Sequence, residues 1–175
     1  MIALVHGLRA WGAVERYVAA IARGLGREAL IVHPDDPALA PFGELAVETV
    51  AYPSELLDSA PALARHLTGL FRRLRPRAVH VTEVLPPALV AARLARVPRL
   101  LVTHHTPELP RRDNPVGRLW WRLGWLARPT VIYTSETDRA RDGRSPSAVV
   151  PLGIDVERFA SGRAVLDGTI VGNVA

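Results

Sequence analysis

Two adjacent histidines, His104 and His105, are the residues whose type and position most directly suggest chemistry. They follow the apolar run 100–103, which is typical of a buried β-strand, and they precede a loop bounded by prolines. In an open parallel sheet the ligand crevice lies outside the carboxyl ends of the strands, so both histidines are predicted to lie near such a crevice.

A metal site at these histidines is not predicted. Adjacent side chains at a strand end point in different directions, and no cysteine or acidic cluster at ligand spacing accompanies them. One histidine is therefore expected to face the crevice, and the other to face packing or solvent. His80 and Glu83 flank the end of the neighbouring predicted strand, where they either line the same cleft or satisfy local backbone groups.

The loop after the first predicted strand contains Gly7 and Gly12, which have the spacing of a nucleotide-binding P-loop. Ala13 and Val14 replace the lysine and Ser/Thr that contact phosphate and metal there, so an ATPase loop is excluded. The G-x-G-x-x-G dinucleotide motif is also missing from this loop. Gly12 either admits a ligand to backbone N–H groups at a helix N-terminus or simply permits a tight turn.

Strand and helix patterns alternate along the chain. Predicted strands cover 2–5, 29–33, 46–52, 78–82, 100–103, 130–134 and 148–152, predicted helices cover about 13–25, 59–75, 87–96 and 115–127, and a short polar segment covers 136–142. Most of the strands are apolar throughout, which indicates a parallel sheet covered on both faces. The predicted fold class is therefore α/β, a Rossmann-like doubly wound parallel sheet.

The composition is that of one folded domain. The chain has 175 residues, and its hydrophobic content of 49% and mean hydropathy of +0.12 argue against disorder. The absence of cysteine excludes disulfides and thiolate chemistry and fits a reducing compartment. Neither a signal peptide nor a membrane-spanning stretch is predicted, so we expect a cytoplasmic protein.

The formal net charge is +5, and every basic residue is an arginine. Arginine favours bidentate contacts with phosphate and carboxylate groups, so one interpretation is an anionic partner. The other is a composition bias typical of a GC-rich coding sequence, which also explains the many Ala, Leu and Pro residues. Since the arginines are scattered over several predicted helices without a nucleic-acid motif, nucleic-acid binding is not predicted.

The predicted helix at 115–127 carries an unusual pair of tryptophans. At about 100° per residue, Trp121 and Trp125 fall between arginines, opposite the expected core stripe. That stripe comprises Val116, Leu119, Trp120, Leu123, Leu126 and Ala127. Such a tryptophan face suits peripheral contact with the headgroups at the inner face of the membrane or with a lipid-linked substrate. The alternative is that a loop, another domain or a partner subunit covers the two tryptophans.

Four segments, in this order and at these spacings, resemble the N-terminal domain of glycosyltransferase family 4, a family of GT-B enzymes. They are WGAVERYVAAIARGL, AVHVTEVLPPALVAARLARVPRLLVTHHTPELP, TVIYTSE and VVPLGIDVERF, and the resemblance covers residues 1–159. The most specific segment contains Pro151, Gly153, Asp155 and Phe159, and it is similar to the family's PNGID…F signature before the interdomain linker. The resemblance implies one half of a GT-B architecture.

The resemblance also implies roles for the first loop. The family's Gly-Gly-x-Glu loop, which approaches the donor diphosphate and the acceptor, matches Gly12, Ala13 and Glu15. Ala13 stands where the family has its second glycine, so the chain departs from the pattern at the point of close backbone approach.

Further roles are implied at the ends of two later strands. The family's histidine near the donor sugar follows a Thr-x-His strand end and matches His105, which implies a catalytic role for it. His104 occupies a position that is usually apolar in the family. Ser135 and Glu136 match the Ser-Glu pair that lines the cleft after the following strand.

The expected organisation is an N-terminal Rossmann-like domain at 1–160, an interdomain linker at 161–168 and the first strand of a truncated C-terminal donor-binding domain at 169–175. In this family the second domain holds the donor phosphates and the nucleotide sugar. The resemblance therefore implies a retaining transfer from a nucleotide sugar to a sugar or lipid-linked acceptor, with no metal or other cofactor, and no activity of this half alone.

Two other functions stay open at this point. One is a stand-alone, non-catalytic or split-subunit binding module with the same fold. The other is a sugar-nucleotide epimerase, which shares the two-domain architecture. The signature at 151–159 favours the glycosyltransferase over the epimerase.

Overall fold

The computed structural model describes residues 1–105 and 114–151. These residues form seven strands and five helices: β1 Ile2–Val5, α1 Ala13–Leu25, β2 Ala29–Asp35, β3 Glu48–Pro53, α2 Ala60–Leu74, β4 Ala78–Val81, α3 Pro86–Leu94, β5 Arg99–His104, α4 Pro115–Leu126, β6 Thr130–Tyr133, α5 Glu136–Asp142 and β7 Ser147–Val149. Short 3₁₀ helices occupy Gly26–Glu28, Pro37–Glu44 and Ser54–Asp58. The predicted linker at 161–168 and strand at 169–175 lie outside the described residues.

The strands form one parallel sheet in the order β3-β2-β1-β4-β5-β6-β7. The chain first winds outward from β1 to β3, then crosses back and winds in the other direction from β4. This reversal between β1 and β4 defines a Rossmann-like, doubly wound sheet. The predicted α/β fold class is confirmed.

Alternation along the strands divides the core into two layers. Ala3 and Val5 of β1 share a cluster with side chains of α2 and α3, whereas Leu4 packs with Val18 of α1 on the opposite face of the sheet. Because consecutive residues of a strand point to opposite faces, neighbouring residues at a strand end are delivered to different surroundings. This property decides where the functional side chains lie.

Residues 136–142, which the sequence pattern identified only as a short polar segment, form helix α5. Apolar periodicity does not mark it, since its residues are polar or exposed throughout. The helix begins at a capping residue instead: the Ser135 side chain accepts a hydrogen bond from the Asp138 N–H at 3.1 Å. It ends at Gly143, whose φ of 65° is left-handed.

Helix α4 is rotated relative to the prediction. Val116, Leu119 and Leu126, which were expected in the core, are 61%, 55% and 71% exposed. Its inward face contains Gly124, which is buried against Pro86 at the start of α3. The glycine lets the two helices approach closely. This close contact sets the orientation of α4, which the predicted core stripe of Val, Leu and Trp residues was expected to set.

Gly124→Ala is expected to destabilise the protein by about 1–2 kcal/mol, because the core has no room for the added methyl group. A Cβ at this position would lie 2.9 Å from Pro86 Cβ and 3.1 Å from Pro86 Cα. Gly69→Ala in α2 is the matched control, since a Cβ there meets nothing within 4 Å. Urea unfolding should show the control to be more stable than the wild type by about 0.5–1 kcal/mol. Stabilisation by both substitutions would contradict the close approach.

Candidate functional site

The carboxyl ends of β1, β4 and β5 border a cleft of about 280 Å³. The cleft lies at the reversal of strand order between β1 and β4, where open α/β sheets bind their ligands. Its described lining residues are Gly7, Leu8, Val14, Glu83, Val84, Leu85, His105 and Trp121.

His105 lies on the wall of this cleft, directly after β5. Its Nε2 is 3.0 Å from the carbonyl oxygen of Thr82. Because a carbonyl can only accept, Nε2 carries the proton, and Nδ1 of the neutral ring is left as the acceptor. Burial lowers the pKa of His105, which favours this neutral form at physiological pH. The ring of Tyr17 meets the imidazole edge-on, with centroids 5.1 Å apart.

His80 does not line the cleft, contrary to one of the two expectations for it. It is buried on the α1 face of β4, where its Nε2 lies 2.7 Å from Thr103 Oγ1. The same Thr103 oxygen lies 3.0 Å from the hydroxyl of Tyr17. Burial lowers the pKa of His80 to about 4, so the ring is neutral at pH 7. His80 thus belongs to a buried network beneath His105, and it supports the Tyr17 ring that contacts this residue.

His104 also lies away from the cleft. It is 2% exposed, and its ring packs edge-on against Trp125 and Tyr133, with centroids 6.3 Å and 5.8 Å away. Its Nδ1 lies 3.9 Å from a carboxylate oxygen of Asp142. The physical reason is strand alternation, since His104 and His105 leave β5 on opposite faces of the sheet. His104 is thus the histidine of the pair that faces packing, and it does not line the cleft.

Glu83 lies on the cleft wall, at the carboxyl end of β4. Its Oε1 accepts a hydrogen bond from the Gly7 N–H at 2.7 Å. This bond ties the loop after β1 to the end of β4, so Glu83 performs both functions considered for it in the sequence: it lines the cleft and satisfies a backbone group. Its carboxylate places negative charge at the site.

Glu15 is turned into the protein. It is 1% exposed, its Oε2 accepts the Gly12 N–H at 2.5 Å, and its Oε1 lies 2.9 Å from His6 Nε2. Burial lowers the pKa of His6 to about 4, so the His6 imidazole beside Glu15 is neutral at pH 7. Glu15 thus braces the first loop from inside, while Ala13 is exposed at the start of α1. The loop presents backbone to the surface, and its carboxylate does not face outward.

The remaining predicted residues are not brought to the cleft wall. Ser135 caps α5, and Glu136 pairs with Arg139 at 2.9 Å; neither is among the described lining residues. Pro151 is exposed at the end of the described chain. Gly153 and Asp155 of the signature lie outside the described residues.

Trp121 is a lining residue that sequence reasoning missed, and the apolar Leu8, Val84 and Leu85 are others. The helix pattern placed Trp121 on an outer face with Trp125, and it also lines the cleft together with Glu83 and His105. Trp125 packs partly against the core, and the guanidinium of Arg144 lies 3.9 Å from the centre of its ring. The two tryptophan rings still lie side by side, with centroids 5.6 Å apart, and line a surface groove with Arg122, Leu126 and Arg144, so the membrane contact of this pair stays a prediction.

Two kinds of feature are absent from the described residues. Within 1–105 and 114–151, no three histidine or acidic side chains converge as a metal site would require. In the same part of the chain, no helix has the length and apolar character needed to cross a bilayer.

Comparison with known protein families matches residues 12–158 to Glycosyltransferase Family 4, which confirms the resemblance seen in the sequence. Among solved structures, Anabaena Alr3699/HepE in complex with UDP is 21% identical with a TM-score of 0.65, over 90% of this chain and 45% of that one. Its complex with UDP-glucose is 20% identical with a TM-score of 0.67, over 89% and 44%. The chain thus spans less than half of these structures. No curated protein matches it.

Proposed function

The chain belongs to glycosyltransferase family 4, and from this premise we propose that it is the acceptor-side, N-terminal domain of a retaining glycosyltransferase. The enzyme transfers a sugar from a nucleotide-sugar donor to a sugar or lipid-linked acceptor. This domain forms one half of a GT-B architecture, and a second domain holds the donor. No metal takes part.

The cleft's charge is the observation that carries the acceptor-side assignment. All 22 basic residues of the chain are arginines, yet none of the described residues that line the cleft is one of them. The wall carries the Glu83 carboxylate instead. A diphosphate is bound by cationic side chains, whereas sugar hydroxyls are bound by carboxylate and imidazole acceptors. The composition of the cleft therefore supports sugar binding on this side and diphosphate binding on the other.

His105 has the geometry for binding a sugar hydroxyl. Its Nε2 proton is donated to Thr82, so Nδ1 can accept a hydrogen bond from a hydroxyl group in the cleft. Trp121, which lines the same cleft, offers an aromatic surface that suits the apolar face of a sugar ring. Closure of the second domain over this wall would exclude water from the reacting sugar.

The isolated chain is expected to bind UDP-glucose with a Kd weaker than about 1 mM, because no cationic group of the described cleft meets the diphosphate. UDP-glucose is the appropriate probe, since it was crystallised with the structurally similar Alr3699/HepE. Isothermal titration calorimetry measures the affinity. The same chain is also expected to transfer no sugar.

The matched control is a longer protein in which this sequence precedes a donor-binding domain. It should bind the nucleotide sugar at least about tenfold more tightly than the isolated chain, which corresponds to one additional charged hydrogen bond or more. Micromolar affinity of the isolated chain would contradict the acceptor-side assignment.

A further inference from the structure

Helices α2, α3 and α4 form a layer over one face of the sheet, and none of the three contains an aspartate or glutamate. They carry six exposed arginines: Arg65, Arg72, Arg73, Arg93, Arg118 and Arg122. A solvated helix surface usually mixes both charge signs, so an acid-free layer has a one-sided positive potential.

Apolar side chains stand among these arginines. Leu94, Leu119 and Leu126 are 56%, 55% and 71% exposed. On α4, Leu119, Arg122 and Leu126 are spaced i, i+3 and i+7, so they form one stripe on the solvent side of the helix. Trp120 lies beside Leu94 in a groove of about 570 Å³ that runs between α2, α3 and α4.

The same layer ends in an unusual set of arginines. Arg75, Arg96 and Arg128 lie one or two residues after the ends of α2, α3 and α4, and each is left-handed, with φ of 47°, 57° and 54°. Glycine adopts this conformation without strain, whereas a side chain costs roughly 1 kcal/mol. The helix dipole favours a cation near each of these helix ends. An arginine in the preceding turn would serve equally well, so the dipole does not explain why the left-handed residue itself is an arginine.

A groove of about 1020 Å³ connects the ends of α2 and α3 with the layer. Its arginines are Arg72, Arg75, Arg77, Arg93 and Arg96. The groove shares Arg72 and Leu94 with the groove between the helices, so the two are continuous. We call the whole surface, from Leu119 and Leu126 on α4 to the arginines at the helix ends, the outer helical face.

We propose that the outer helical face docks on an anionic lipid bilayer. Leucines that stand out from arginines on helices without acidic residues combine two attractions: the apolar tips enter the headgroup region while the guanidinium groups bind lipid phosphates. Each arginine near an anionic surface contributes about 1 kcal/mol, so several acting together give stable attachment. An acidic protein partner would be matched by the arginines but leaves the exposed leucines of α4 without a role.

This docking goes beyond the proposed function and does not depend on it. It extends the membrane contact predicted from Trp121 and Trp125, because Arg122 and Leu126 of the outer helical face line one groove with these two tryptophans. Because Trp121 and Leu119 belong to the same helix, docking through the outer helical face would hold the cleft beside the bilayer.

Vesicle flotation with the chain as it stands tests the proposal. The wild type should float with phosphatidylcholine vesicles that contain about a third phosphatidylglycerol, and should not float with pure phosphatidylcholine. Arg118→Gln combined with Arg122→Gln should lower the partition coefficient by about tenfold or more. Leu119→Ser combined with Leu126→Ser should lower it by a similar factor, through loss of apolar burial.

Arg23→Gln combined with Arg27→Gln is the matched control. Both residues are exposed on or next to α1, on the other face of the sheet, and the pair removes the same charge. Its binding should stay within about twofold of the wild type. Equal losses in both arginine pairs would show non-specific attraction and overturn the proposal. Absence of flotation by the folded wild type would also overturn it, and would point to a protein or a further domain as the occupant.

Discussion

His105→Ala is expected to lower kcat by about 50-fold in a protein that joins this sequence to a donor-binding domain. The substitution removes the Nδ1 acceptor that we place against the transferred sugar, and a hydrogen bond to a charge-bearing transition state contributes about 2–3 kcal/mol. It also removes a partner of Thr82 O and of the Tyr17 ring. The measurement is a steady-state assay at saturating donor and acceptor.

His104→Ala is the control that the sequence itself provides. The ring is 2% exposed and contacts Trp125 and Tyr133, so its removal should leave a cavity and destabilise the protein by about 2–4 kcal/mol. At a temperature where the variant stays folded, kcat should remain within about threefold of the wild type, because the residue lies off the cleft. Equal losses of kcat in the two variants would show that the division of roles between the histidines is wrong.

The separation of these histidines could be anticipated in part from the sequence. A strand ending in two polar residues must send them to opposite faces, and this rule required no knowledge of partners. The sequence did not show which of the two faces holds the cleft, because this depends on contacts between residues that are distant in sequence. His105 contacts Tyr17 of α1, and His104 contacts Trp125 of α4. The resemblance to the family selected His105, and the structure places this residue on the cleft wall.

Helix α4 shows why its orientation could not be read from apolar periodicity. Nearly every direction around the helix carries Val, Leu or Trp, so the pattern does not single out one face. A signal was present in Gly117 and Gly124, which are seven residues apart and share a stripe with Trp121. A glycine inside a helix is unfavourable unless a neighbour packs closely on it, and Gly124 meets Pro86 in this way.

Glu15 and Glu83 show a second reason why parts of the site could not be predicted from the sequence. Family resemblance indicates that the loop with Glu15 approaches a ligand, but it does not say which atoms of the loop do so. The partners of Glu15 are local, at Gly12, and more distant, at His6. Glu83 reaches Gly7 across 76 positions of sequence. Such pairs arise from the parallel register of β1 and β4, which no local pattern reports.

Glu15→Ala is expected to lower the free energy of unfolding by about 3 kcal/mol. The substitution leaves the Gly12 N–H and the His6 ring without the carboxylate that contacts both of them inside the protein. Glu15→Gln retains an oxygen for the Gly12 N–H and keeps the packing volume, so it should cost roughly half as much. Urea denaturation followed by circular dichroism measures both values.

Glu44→Ala removes the same charge from an exposed position and should change the stability by less than about 0.5 kcal/mol. The comparison separates two roles for the first loop. If Glu15 contacted a ligand, Glu15→Ala would raise KM and leave stability close to that of Glu44→Ala. If Glu15 only braces the loop, the reverse is expected at temperatures where the variant is folded. Stability should fall strongly and KM should stay close to the wild-type value, because the Glu15 carboxylate is buried and does not line the cleft. Wild-type stability of Glu15→Ala would therefore show that the buried contacts to His6 and Gly12 do not hold the loop.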